Sequence, residues 1–293
     1  MTRAARESQR GIDTSTGVLD LRESSEIQFM SIIRCIVALA AALALAACAP
    51  KPKDYLEAVS WGIEAQNKGD FKTAYANYRA AFEIADKVGN GSRAVHAADL
   101  AADAAAALGK TDDAVRLLEA ALRSYGQETD AYIGRFRMPN NLAVYQALRK
   151  NNPEAKRLLE EALKPYADKG ALSRGQYTPF ATMSRNLARV LAADGWNADA
   201  EAWYDDLTQK IIDYTTLNRG SPYFWVGSAA ALRALAALAK TGPRASEATS
   251  LEQRAAELEA AEAPFAGRIG DAQRCYMREL NAKKETVCML ELP

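Results

Sequence analysis

Small and apolar residues recur at helical spacing through most of the chain, and short polar turns interrupt them at intervals. The clearest example spans residues 62–81, where Gly62 precedes a turn at Gly69, and Ala74 and Tyr78 follow four residues apart. Because residues three or four apart share a helix face, this pattern predicts two helices joined by a tight turn. Gly62 and Ala74 have little or no side chain, so the two helices can approach closely while Tyr78 fills the volume beside them.

The pattern recurs along the chain, and an alanine in the second helix of each hairpin marks it. These alanines are Ala74, Ala114, Ala155 and Ala200, with spacings of 40, 41 and 45 residues. We predict five hairpins, the fifth of them degenerate, at 54–88, 92–124, 131–166, 178–214 and 222–262. Residues 263–293 are predicted to form a capping helix, at about 264–282, and a tail, since a terminal repeat needs a polar outer face.

Residues 62–81 resemble the tetratricopeptide repeat (TPR) family, whose repeats combine a small residue in the first helix, a Gly-Asp turn before an aromatic residue, and alanines around a second aromatic. The long spacings, with Asn-Leu-Ala at 141–143 and 186–188, resemble repeats of kinesin-light-chain type. The resemblance implies an all-α superhelical solenoid whose concave groove binds other proteins. It also implies that first-helix asparagines bond the backbone of a bound extended peptide. The alternative is that these asparagines satisfy a neighbouring loop.

The first helices of the third and fourth repeats are predicted to present polar and cationic residues to this groove. These residues are Arg137, Asn140, Asn141, Val144, Arg185, Asn186 and Arg189. Arg185 and Arg189 are four residues apart, a spacing at which like charges repel unless an anion lies between them. We therefore expect the groove to bind an extended or acidic peptide. The alternative pairs Arg137 with Asp99 or Asp103 across the repeat boundary and leaves the other arginines in water.

The N-terminal region has the pattern of a signal peptide. The apolar run at 36–47 has 12 residues, which is too short for the roughly 20 of a membrane-spanning helix and suits the apolar part of a signal peptide. With the preceding Met30 and basic Arg34 it makes a signal peptide at 30–47. Residues 1–29 are polar, and we predict that they are an upstream extension or a disordered segment.

The signal peptide ends in Leu-Ala-Ala-Cys, which resembles the lipobox of bacterial lipoproteins. The resemblance implies that Cys48 carries lipid and that residues 48–53 form a lipidated linker. Ala49 stands where an aspartate retains such proteins in the inner membrane, so we expect the outer membrane, facing the periplasm. With Cys48 lipidated and the signal peptide removed, Cys275 and Cys288 are the thiols that remain. In an oxidising compartment we predict that they form a disulfide; the alternative is two free thiols in a frayed tail.

Charge and composition argue against enzyme activity and against nucleic-acid binding. Lysine plus arginine and aspartate plus glutamate are 37 each, so the chain has no basic footprint for nucleic acid. His96 is the single histidine, which excludes multi-histidine metal sites, and we predict it to be a surface or groove residue. No common catalytic or nucleotide-binding motif occurs. We expect no cofactor, no metal and no enzyme activity, and partners among other envelope proteins. The alternatives are an enzyme that presents substrate on its repeats and a purely structural lipoprotein.

Overall fold

The structure, a computed structural model, is built from helical hairpins in which each helix packs against the next. Among the described residues these are α1 (Tyr55–Asn67) and α2 (Phe71–Lys87), α3 (Gly91–Ala107) and α4 (Thr111–Tyr125), α5 (Met138–Leu148) and α6 (Asn152–Ala167), α7 (Arg174–Asp194) and α8 (Ala198–Leu217), α9 (Ser228–Ala239) and α10 (Ala248–Glu262). A π-helical turn, Ile133–Arg137, leads into α5, and 3-10 turns at Ala245–Glu247 and Ala263–Phe265 flank α10. The predicted all-α, TPR-like solenoid is therefore confirmed.

The structure describes residues 51–125, 133–167, 172–218, 227–265, 275–280 and 283–292. The predicted signal peptide, the lipidation site at Cys48 and the segment 1–29 lie outside the described residues. None of the described helices is both long enough and apolar enough to cross a membrane.

Polar side chains before the helices fix where several of them begin. The carboxylates of Asp54 and Asp70 accept hydrogen bonds from the amides of Glu57 and Thr73, at 2.9 and 3.0 Å. Asn90 caps α3 and Asn197 caps α8 in the same way. Each cap satisfies an amide that would otherwise lack a partner in the first helical turn, which contributes about 1 kcal/mol. The aspartate of the Gly-Asp turn at 69–70 is thus one of these helix caps.

Close packing of α1 on α2 follows from Gly62. A Cβ atom at this position would lie 2.3 Å from Cε1 of Tyr78, so the glycine gives the aromatic ring its space. Tyr78 is fully buried, and its hydroxyl donates to Gln66 at 2.9 Å. The first helices are buried on more than one side: α3 buries twelve of its 17 residues. Helix α3 packs against α1, α2 and α4 and against the π-helical turn before α5.

The C-terminal region differs from the predicted capping helix. Strands β1 (Cys275–Leu280) and β2 (Lys283–Cys288) form an antiparallel hairpin, so the helix predicted at 264–282 is wrong over β1. Strand pairing supplies the backbone hydrogen bonds that a helix would supply locally, and the weak preference of a short segment does not decide between them. Strand β2 lies beside α1, which brings this hairpin back to the first repeat.

The strand register places the two cysteines at directly opposite positions, at the open end of the hairpin. Opposite residues of an antiparallel pair have Cα atoms about 4.5–5.5 Å apart, which lies within the range that a disulfide spans. We predict that Cys275 and Cys288 form a disulfide in the protein from an oxidising compartment. Closing so short a loop stabilises the fold by roughly 3 kcal/mol in the chain-entropy model.

Thiol labelling of the denatured protein, with and without prior reduction, measures this bond. We expect two more labelled cysteines after reduction than before it. The Cys275→Ser variant is the control, since its remaining Cys288 thiol reacts without reduction. Labelling of both cysteines in the unreduced native chain contradicts the prediction.

Candidate peptide-binding groove

A buried ion-pair network joins the second and third repeats. Arg137 is fully buried, and its guanidinium lies 2.8 Å from the carboxylates of both Asp99 and Asp103 on α3. The Tyr145 hydroxyl donates to Asp103 at 2.9 Å. Burial raises the pKa of the Tyr145 phenol, and the charge of Asp103 raises it further, so Tyr145 keeps its proton for this bond. The prediction that Arg137 contacts a bound peptide is therefore wrong. Its guanidinium is buried at the boundary between the second and third repeats, where it pairs with Asp99 and Asp103.

Three asparagines form a hydrogen-bonded row from this network to the fourth repeat. Asn140 and Asn141 lie on α5 and Asn186 on α7, and all three are fully buried. The Asn186 amide donates to Asn140 at 2.8 Å, and Asn140 donates to Asn141 at 3.3 Å. Asn141 in turn donates to Asp99 at 3.2 Å. Because the carboxylate can only accept, it fixes which end of the Asn141 amide faces it, and the Asn141 oxygen faces away.

The C-terminal tail, residues 289–292, lies on this asparagine row. The amide of Leu290 donates to the outward-facing oxygen of Asn141 at 2.8 Å. The carbonyl of Leu290 accepts from Asn140 at 2.8 Å and from Asn186 at 3.0 Å. Both main-chain groups of one tail residue are therefore satisfied by groove side chains.

The next contacts are made one repeat further along. The amide of Leu292 donates to the side-chain oxygen of Asn186 at 2.9 Å, and its carbonyl accepts from Arg185 at 3.1 Å. Arg185 also forms an ion pair with Glu291. Asn141 and Asn186, the asparagines of the two Asn-Leu-Ala sequences, thus accept the amides of alternate tail residues. A carboxylate of the chain itself meets Arg185, one of the two arginines predicted to attract an anion.

Apolar side chains of the tail are buried as well. Met289 and Leu292 are 5% and 8% exposed. Val144, one of the predicted groove residues, belongs to the hydrophobic cluster that also contains Met289 and Leu292. The groove therefore combines polar contacts to the main chain with an apolar surface for side chains.

A cleft of about 540 Å³ borders Leu292. Its lining residues are mostly small or apolar, with two arginines: Ala147, Leu148, Asn152, Arg189, Val190, Ala192, Ala193, Arg233, Ala234, Ala237 and Leu292. Arg189 is exposed on α7, and Leu148 is 53% exposed. The Arg233 guanidinium forms an ion pair with Glu259. The cleft thus adjoins the docked tail at Leu292.

His96 lies elsewhere and differs from its prediction. It is 2% exposed, and its Nδ1 atom lies 2.7 Å from the Tyr55 hydroxyl. It therefore joins α1 to α3 inside the first two repeats, and the predicted surface position is wrong. Within the described part of the chain, no three metal-ligating side chains come together.

The tail is the part of the site that sequence reasoning missed. The predicted groove was expected to bind an extended or acidic peptide. Residues 289–293 of the same chain read Met-Leu-Glu-Leu-Pro. An acidic residue between two leucines matches that expectation. The match would have been found by comparing the predicted groove with segments of the same chain.

The paired helices and this groove define a TPR-like repeat protein, and solved structures of that class are similar to the chain. A putative kinesin light chain with nearly identical TPR-like repeats, from Podosopora anserina, has 17% identity and a TM-score of 0.52, with 71% of this chain and 95% of that one covered. BtubC (BKLC) from P. vanneervenii has 20% identity and a TM-score of 0.55, with 71% and 80% covered. At these identities the likeness shows the fold alone. No family model and no curated protein matches the chain.

Proposed function

We propose that this protein is a non-catalytic scaffold that binds an extended segment of another envelope protein in the groove between α5 and α7. One observation carries the proposal: asparagines of successive repeats hydrogen-bond the main chain of the tail at Leu290 and Leu292. Every peptide has these main-chain groups, so the same asparagines can hold a segment from a partner.

The groove also has a chemical preference. Arg185 and Glu291 are only 14% and 19% exposed, and a guanidinium–carboxylate contact shielded from water is stronger than one at the surface. Recognition of acidic segments by arginine is a recurring mode of peptide binding. The partner segment is therefore extended and carries an acidic residue opposite Arg185.

Crosslinking in cells, followed by identification of the captured proteins, tests this proposal. The variant with Arg185→Glu and Arg189→Glu is expected to lose partners that the native chain captures. A matched control replaces Arg79 and Arg157 with glutamate; both lie on second helices and are about half exposed. If the groove variant stays folded by circular dichroism and captures the same partners at the same yield, the groove is not the binding surface.

We further propose that the scaffold is anchored by lipid on Cys48 in the outer membrane, on its periplasmic face. The lipobox at the end of the signal peptide supports this, as does Ala49 after the cysteine. Two or three acyl chains, at about 0.8 kcal/mol per buried methylene, give a stable anchor where one chain is marginal. Helix α1 begins at Tyr55, so only a few residues separate it from the lipid.

Mass spectrometry of the mature N-terminus tests the anchor. We expect the N-terminal peptide to begin at Cys48 and to carry the mass of a diacylglyceryl group with or without a further acyl chain. The Cys48→Ser variant should remain unprocessed, and deletion of codons 1–29 should leave expression unchanged. Recovery of an unmodified peptide that spans Ala47 and Cys48 from the native protein rejects lipidation.

A further inference from the structure

We infer that the tail occupies the partner's own place, and that the partner segment is an apolar–acidic–apolar triplet bound in the register of Leu290, Glu291 and Leu292. This inference rests on the proposed function and adds to it the sequence that the groove selects and the competitor that a partner displaces. The contacts of the tail fix this register residue by residue.

The asparagine row permits one register for this segment. Asn141 and Asn186 accept the amides of residues two apart, at 2.8 and 2.9 Å. The residue between those two amides is Glu291, and its carboxylate meets Arg185. A shift of the segment by one residue would bring a different side chain to Arg185, so main-chain contacts and charge recognition specify the same alignment.

The polarity of the segment is fixed as well. Strand β2 lies beside α1, after which Leu290 meets α5 and Leu292 meets α7. The chain therefore runs from the first repeat toward the fourth. The Leu292 position borders the cleft that is also lined by Leu148, Arg189 and Arg233.

Competition follows from the tail being tethered to the groove. A tethered segment acts at an effective concentration that reaches about millimolar for short linkers. The apparent affinity for a second ligand falls in proportion to the fraction of molecules whose groove is empty. The native chain should therefore bind a free peptide more weakly than a chain whose tail has been weakened.

Fluorescence anisotropy with two labelled peptides tests the inference on the full chain. The first probe is Met-Leu-Glu-Leu-Pro and the second is Met-Leu-Lys-Leu-Pro. In the tail variant, Met289→Asp and Leu292→Asp place charges at the two buried apolar positions of the tail and leave the groove residues on α5 and α7 unchanged. We expect the tail variant to bind the first probe at least about tenfold more tightly than the native chain does, because its groove is vacant more of the time. We expect it to bind the second probe at least about tenfold more weakly than the first.

A charge exchange separates recognition from misfolding. Adding Arg185→Glu to the tail variant is expected to lower the affinity for the first probe and to raise the affinity for the second. An unfolded groove cannot gain affinity for either probe. Equal affinity for the two probes overturns the acidic register. No gain in affinity over the native chain overturns competition by the tail. The crosslinking experiment with Arg185 and Arg189 decides the proposed function separately. A captured partner that this variant loses, but that lacks the triplet, keeps the proposed function and rejects the register.

Discussion

Replacing Arg137 with methionine is expected to lower the free energy of unfolding by about 3–5 kcal/mol. The substitution leaves Asp99, which is fully buried, without the cation 2.8 Å away. Asp103 loses the same partner. Removing one member of a buried ion pair is costly because the remaining charge stays out of water, whereas methionine replaces most of the arginine's volume.

Urea denaturation followed by circular dichroism measures this effect. The control is Arg157→Met, which removes an arginine that is 56% exposed and pairs with Glu154 and Glu161 on its own helix. Exposed pairs of this kind contribute less than about 1 kcal/mol. Equal losses of unfolding free energy in the two variants would show that the buried Arg137 pairs stabilise the fold no more than an exposed pair does.

Replacing Asn186 with alanine is expected to release the tail from the groove. The substitution removes the donor to the Leu290 carbonyl, the acceptor for the Leu292 amide and the donor to Asn140. At about 1 kcal/mol for each bond, loss of the two bonds to the tail and of the bond that orients Asn140 weakens tail docking by about 2–3 kcal/mol. Amide hydrogen exchange at Leu292 should then become roughly 30- to 160-fold faster.

Asn77→Ala is the matched control for that measurement. The Asn77 amide donates to the carbonyl of Thr73 in its own helix at 3.0 Å and has no part in the groove. We expect exchange at Leu290 and Leu292 to be unchanged in the control. Unchanged exchange in the Asn186 variant would mean that other contacts hold the tail.

The two predictions are connected through Asn141. Its amide nitrogen donates to Asp99, and its oxygen accepts the amide of Leu290. The ion pair between Asp99 and Arg137 therefore orients a side chain that touches the tail. Variants of Arg137 that remain folded should also speed amide exchange at Leu290. Stability of the repeat boundary and occupancy of the groove thus depend on a shared set of side chains.

The hairpins could be predicted from the amino-acid sequence alone, because their signals are local. Gly62 and Tyr78 lie within one repeat, and a small residue opposite an aromatic ring predicts how α1 and α2 pack. Helix caps such as Asp70 act over three residues. Asn141 and Asn186 were found because each lies at the same place in its own repeat, where the spacing puts both on one face.

The partners of the polar groove residues, in contrast, depend on the folded arrangement of distant segments. Arg137 pairs with aspartates more than thirty residues away, and His96 meets Tyr55 across two repeats. The tail reaches Asn140 from 150 residues along the chain, and β1 pairs with β2 in a segment where a capping helix was predicted. These cases share one cause: the contacts that stabilise each arrangement join segments that are far apart in the sequence. A single sequence shows what each side chain can bind, and the fold determines which partner comes within reach.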